Sequence, residues 1–231
     1  MEKLLITLGD SFTEGVGCYH PELYQGYING TVSALDLYVN STPYWQTVNW
    51  AQVLGRKVGR TTINLAHGGD SNSAQAKKFY ALTDLPESND VVVIWTLSYP
   101  ERFSFYSSGK LENYSINSLD EPIARAYFET VYTGLIDAHK ETAYYLSSVR
   151  ALCQTRSWRF YYVNAWDQQH DFDKIISFPE NNLIERIRPA DSLKEWLSLW
   201  TPKWHSHCLH PHEASHKRLA DLFQKLLGSE L

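Results

Sequence analysis

Cysteine is scarce in this chain. Three residues in 231 are cysteine: Cys18, Cys153 and Cys208. An odd, sparse count argues against a disulfide framework and fits a reducing compartment. Long apolar runs are also lacking. Met1-Glu2-Lys3 leads into only about five apolar residues, too few for a signal-peptide core. No stretch approaches the ~18 residues that a membrane helix requires. The expected location is therefore cytoplasmic or virion-associated, and the Asn29, Asn40 and Asn113 sequons are expected to carry no glycan. Charge of one sign is modest, with a net of -5 and a pI near 6.0. No basic block marks a nucleic-acid footprint, and no polybasic stretch suits an anionic membrane, so neither partner is expected. A phosphate-cradling loop is missing, because GDSFTEGVG lacks the Lys-Ser/Thr ending of a P-loop. Glu185 and Asp191 do not define a glycosidase, since sequence spacing fixes no pair of carboxylates across a sugar bond.

Aromatic residues are abundant: 14% of the chain, with eight Trp and fifteen Tyr. Most are expected in the core, and the remainder fit a surface for sugars or other flat groups. Four short apolar or β-branched runs read as buried parallel strands, at 4–8, 61–65, 91–96 and 159–164. Helical patterns fall at 44–56, 72–82, 121–155, 190–200 and 211–227, the last with Leu219, Leu222, Phe223, Leu226 and Leu227 on one stripe. Strands alternating with helices predict one α/β domain over 1–231, with a mostly parallel sheet covered on both faces. Segments 18–43 and 99–120 are polar, aromatic and irregular, and read as functional loops.

Ligands of such sheets bind beyond the carboxyl ends of the strands. Gly9-Asp10-Ser11 follows the first strand, Ala66 to Asp70 the second, and Leu97-Ser98-Tyr99 the third. Ser11 is placed as a nucleophile whose own N–H faces an incoming carbonyl oxygen. Gly69 allows close backbone approach and a second N–H. His210, ahead of Pro211 and the last helix, is placed to project toward the same edge.

Together these blocks resemble the SGNH, or GDSL, serine hydrolases. LGDSFTEGVG is similar to the family's first block and INLAHGGDSNS to its second. HCLHPHEASHKRLAD is similar to the last block, where Asp-x-x-His-Pro precedes the C-terminal helix. The resemblance implies a three-layer, flavodoxin-like α/β/α fold and ester hydrolysis through an acyl-serine. It gives Ser11 as nucleophile, His210 as general base and Gly69 as an oxyanion donor, with no cofactor and no metal.

Two positions depart from the family pattern. The third block should end in Gly-x-Asn-Asp, whose Asn serves the oxyanion; here Ser98 stands at that place, with Thr96 as the other candidate and Arg102 nearby. Three residues before His210 the family has Asp, and this chain has His207. A Ser11–His210 dyad, a carboxylate from elsewhere (Asp70, Asp191 or Glu213), and a weakened site that mainly binds are the three readings. Asp10 is a further supporting candidate. The cluster His205, His207, Cys208, His210, His212 and His216 raises a rival idea, zinc on the i, i+4 pair His212 and His216. His67 sits beside the oxyanion glycines, either lining the pocket or packed under the loop. The expected substrate is a small acyl ester, with an O-acetylated carbohydrate favoured by the aromatic loops and aryl esters, lysolipids and thioesters also open. The competing class is a binding or structural module on the same fold, such as a virion or glycan-recognition component.

Overall fold

The structure, a computed structural model, describes residues 2–82, 85, 90–107, 110–132, 134–164, 179–181, 183 and 210–231. Its centre is a parallel sheet of β1 (Leu4–Leu8), β2 (Thr61–Asn64), β3 (Val91–Thr96) and β6 (Arg159–Val163) in the order β2-β1-β3-β6. Leu4 to Leu8 of β1 pair in register with Val91 to Trp95 of β3. All eleven residues of β1 and β3 are buried, which is why both read as unbroken apolar runs.

Alternation along the strands feeds two cores. Leu5, Val92, Ile94, Tyr161 and Val163 face α4 (Trp50–Val58) and α8 (Glu213–Leu227). Leu4, Ile6, Leu8, Val93 and Trp95 face α5 (Asn72–Tyr80) and α7 (Leu135–Thr155). The result is the expected three-layer α/β/α arrangement. Each buried Leu, Ile or Val contributes about 1.5–3 kcal/mol of transfer free energy. On α8, Leu219, Phe223 and Leu227 are buried, and Phe223 meets the Trp50 ring at 4.6 Å between centroids. The core accounts for Trp45, Trp50, Trp95 and Trp158, all at most 5% exposed.

Several expected boundaries shift. The 44–56 helix is two helices, α3 (Ala34–Val48) and α4, divided at Asn49. Asn49 has extended backbone and its side chain accepts from Gln52 N–H, so it caps α4 instead of continuing α3. The 121–155 stretch is likewise α6 (Pro122–Thr130) and α7, with Gly134 at φ 128° between them. The segments expected to be irregular are partly regular. Residues 18–43 contain α2 (Pro21–Ile28), with Pro at its first turn, and most of α3, capped by Ser33. Residues 99–120 contain the antiparallel pair β4 (Phe103–Ser107) and β5 (Lys110–Tyr114). The expected helix at 190–200 lies outside the described residues. No helix among the described residues is long and apolar enough to cross a membrane.

Candidate active site

Ser11 opens α1 (Ser11–Glu14), a single turn directly after β1. Asp10 caps it: the carboxylate accepts from Phe12 N–H at 3.1 Å. Gly15, at φ 103°, ends the turn by donating its N–H to the Ser11 carbonyl. Beneath, Gly9 admits the Thr13 and Thr96 hydroxyls; a Cβ there would lie 2.3 Å from each oxygen. This packing turns the chain sharply and leaves Ser11 at the carboxyl edge of the sheet.

His210 meets it from the other end of the sequence, with Nε2 2.8 Å from Ser11 Oγ. The His210 ring packs on Phe12, 5.1 Å between centroids. Gly17 makes room behind it: at φ 99°, an added Cβ would lie 2.9 Å from His210 Cβ and 3.0 Å from the Pro211 carbonyl. A Gly17→Ala variant therefore combines left-handed strain with a clash against His210. It is expected to lower kcat on the order of 10-fold through displacement of the imidazole, while circular dichroism stays that of the parent. Steady-state kinetics on a chromogenic ester checks this.

The loop after β2 runs beside Ser11. His67 N–H donates to the Gly9 carbonyl at 3.3 Å, and a Cβ on Gly68 would sit 3.6 Å from Ser11 Cβ. Gly69 has φ 82°, and nothing lies within 4 Å of where its Cβ would be. Its exposed face thus opens on the side a substrate can approach. The His67 ring is exposed, with Nδ1 3.0 Å from the Gly68 carbonyl, so it does not pack under the loop.

The hydroxyls expected to serve the oxyanion are committed elsewhere, and this corrects the reading of the third block. Ser98 Oγ donates to the Asp70 carbonyl at 2.7 Å and accepts from Gln75 Nε2 at 2.7 Å. Thr96 Oγ1 donates to the Leu8 carbonyl at 3.1 Å and touches Thr13 Oγ1. Both residues are 3% exposed, and a buried hydroxyl is held where its partners are.

The supporting carboxylates are similarly engaged. Asp10 pairs with Arg102 Nη1 at 2.8 Å. Asp70 accepts from Lys78 Nζ at 2.5 Å and Asn113 Nδ2 at 3.1 Å. Its burial pushes the carboxyl above the usual range despite Lys78. Glu213 accepts from Tyr44 Oη and Lys217 Nζ, both at 2.6 Å, and these bonds hold its carboxyl below the usual range. His207, Asp191, Glu185, His205 and Cys208 lie outside the described residues. Cys18 and Cys153 are buried thiols outside any disulfide, and burial pushes the Cys153 thiol up.

The zinc pair does not form as the spacing suggested. His212 caps α8, its Nδ1 accepting from Ala214 N–H, so it does not share a helix face with His216. His216 is wholly buried, its Nδ1 accepts from Trp50 N–H, and burial pushes its pKa down to about 3.

Sequence reasoning missed Glu14. Its Oε2 accepts from Gly68 N–H at 2.6 Å, tying α1 to the glycine loop, and burial raises its pKa. No spacing in the sequence marks that contact. Two cavities border residues that adjoin the Ser11–His210 pair, one at Gly17 behind His210 and one at Arg102, the partner of Asp10. One of about 280 Å³ is lined by Gly17, Cys18, Tyr19, Tyr24, His212 and Glu213. One of about 200 Å³ is lined by Tyr99, Glu101, Arg102, Ser115 and Asn117. The first draws on segment 18–43 and the second on segment 99–120, the two segments expected to carry function.

No protein-family model and no curated protein matches the chain. Solved structures do match along its full length. TesA is 10% identical with a TM-score of 0.51, covering 99% of this chain and 100% of that one. A putative lipolytic protein of the G-D-S-L family from Desulfitobacterium hafniense is 12% identical with a TM-score of 0.51, covering 98% and 100%. A carbohydrate esterase, described as having divergent catalytic and non-catalytic binding functions, is 13% identical with a TM-score of 0.55, covering 99% and 67%. With its β2-β1-β3-β6 sheet and helices on both faces, the chain has the fold of the SGNH, or GDSL, hydrolases.

Proposed function

We propose that the protein is a serine esterase acting on small acyl esters, with Ser11 as nucleophile and His210 as general base. The 2.8 Å contact between Ser11 Oγ and His210 Nε2, made across 199 residues of sequence, carries this reading. A fold alone does not imply function, but a base within hydrogen-bond reach of a strand-end serine is the arrangement acyl transfer requires.

His210 Nε2 takes the Ser11 proton as Oγ bonds to the acyl carbon. The carbonyl oxygen becomes an oxyanion, facing Ser11 N–H and Gly69 N–H, neither of which donates to an acceptor among the described residues. The imidazolium then protonates the departing alkoxide, leaving acyl-Ser11 and free alcohol. Water attacks the acyl carbon with His210 again accepting the proton. Collapse returns that proton to Ser11 and releases the carboxylic acid.

The substrate class is drawn from the two cavities nearest in sequence and contact to the pair: spaces of about 280 Å³ at Gly17 and about 200 Å³ at Arg102 suit a short acyl group and a single sugar-sized alcohol better than a long-chain lipid. Tyr99 with Glu101, Arg102 and Asn117 offers an aromatic face beside polar groups, the chemistry a sugar ring uses. Likeness to a carbohydrate esterase supports the same class. The test is acetate release from acetylated monosaccharides, beside p-nitrophenyl acetate and a p-nitrophenyl ester of a long-chain acid. Turnover of the short esters by wild type and none by Ser11→Ala is expected. Equal turnover by both proteins sinks the mechanism. Preference for the long-chain ester sinks the substrate class.

One observation favours a second reading, a site that binds more than it turns over: Ser98 and Thr96 spend their hydroxyl protons inside the fold. Tight binding of an acetylated sugar with no acetate release supports that reading against the first.

A further inference from the structure

Gly68 and Gly69 form a stretch of backbone with no side chain to anchor it, and consecutive glycines are the most freely moving backbone a chain has. Oxyanion stabilisation depends on donors fixed before the reaction begins, and a misplacement near 1 Å can cost ~100-fold in rate. Asp70 N–H closes the turn by donating to the His67 carbonyl at 3.1 Å. Two carboxylates add ties to the residues next to Gly69, one on each side. Glu14 is on the same helical turn as Ser11, and its Oε2 takes the Gly68 N–H at 2.6 Å. Ser11 and the glycine loop are thereby joined through one short rigid link. On the far side Asp70 is 1% exposed and is held at both ends. Its carboxylate accepts from Lys78 Nζ on α5 (2.5 Å) and Asn113 Nδ2 on β5 (3.1 Å). Its carbonyl accepts from Ser98 Oγ at the end of β3 (2.7 Å).

Burying a carboxylate is unfavourable unless it is fully paired, and apolar packing usually stabilises as well or better. A buried Asp70 held by two donors and a half-buried Glu14 on the Gly68 N–H, one on each side of Gly69, point to placement, not to stability. We propose that Glu14 and Asp70 are positioning residues that clamp the Gly68–Gly69 backbone and aim the Gly69 N–H at the oxyanion. This rests on the esterase reading and adds to it a device that fixes the backbone donor at a site lacking the family's Asn. It also gives the β4–β5 pair a role, since Asn113 reaches the loop from that pair.

The test compares Glu14→Ala, Glu14→Gln, Asp70→Asn and Asn113→Ala with wild type. Each is assayed well below its melting temperature for kcat and KM on p-nitrophenyl acetate. Each is also assayed for inhibition by phenylboronic acid, which mimics the tetrahedral state on Ser11. Glu14→Ala is expected to lower kcat about 10- to 100-fold with KM within about threefold, because the oxyanion contact forms only in the transition state, and Asp70→Asn, which keeps one of its two acceptor oxygens, by a smaller factor of the same kind. The phenylboronate Ki should rise by a similar factor, which partial unfolding does not produce. Asn113→Ala should show a smaller loss of the same kind. Glu14→Gln retains an oxygen for Gly68 N–H and should recover to within about threefold of wild type. If Asp70→Asn does not fold, the Glu14 pair and Asn113→Ala still decide the matter. Unchanged kcat and Ki in Glu14→Ala and Asn113→Ala overturn the inference, as does Glu14→Gln failing as badly as Glu14→Ala. Those outcomes, with wild type active and Ser11→Ala dead, leave the esterase reading standing. An inactive wild type overturns both.

Discussion

Replacing His210 by Ala lowers kcat on a short aryl ester on the order of 10⁴-fold or more, and adding Ser11→Ala costs almost nothing further. The two residues act as one unit: without the imidazole Ser11 keeps its proton, and without the hydroxyl the imidazole has nothing to activate. Initial rates of the two single variants and the double variant form the cycle. Losses that multiply instead of saturating contradict the pair mechanism. The folded state should survive, because His210 is half-buried and lies outside the two buried clusters that pack on the central sheet. Melting temperatures within a few degrees of wild type confirm that chemistry was lost and not the fold.

Gly9→Ala has the largest expected effect on stability. The new methyl would lie 2.3 Å from Thr13 Oγ1, 2.3 Å from Thr96 Oγ1 and 2.5 Å from Thr13 Cβ. Both threonines are buried, at 0% and 3% exposure, so neither side chain can swing into solvent. Overpacking a close-fitted core costs typically 1–3 kcal/mol, and with three atoms inside contact distance the expected loss is about 3 kcal/mol. Urea unfolding should show a lower midpoint at unchanged slope. A wild-type midpoint would mean the β1–α1 turn is looser than these contacts require. Because Ser11 follows two residues later, kcat should fall as well.

The Gly9 turn also illustrates what was legible in the sequence. β1 and β3 were legible because both faces of a central parallel strand are buried, so residues 4–8 and 91–96 show no polar alternation. Ser11 was marked by its place at a strand end and His210 by the resemblance of its His-Pro block, and the two side chains do meet. The helix α2 was hidden because it buries no residue and so has no apolar stripe. The β4–β5 pair was hidden because it stands apart from the main sheet, its polar-aromatic sequence resembling a loop. Ser98 was read by its place in a block, yet the direction of a hydroxyl is set by neighbours distant in sequence, here Asp70 and Gln75. Glu14 left no trace at all: its partner is a backbone N–H 54 residues away. Local pattern reports burial and punctuation, whereas this second layer of contacts exists only once the strands lie side by side.

The central claim, an activated Ser11, is tested most directly by reacting the protein with a fluorophosphonate and reading intact mass. Wild type should gain one phosphonyl group, mapped by peptide analysis to Ser11, while Ser11→Ala and His210→Ala gain none. No adduct on folded wild type, or an adduct that persists in Ser11→Ala, contradicts the account.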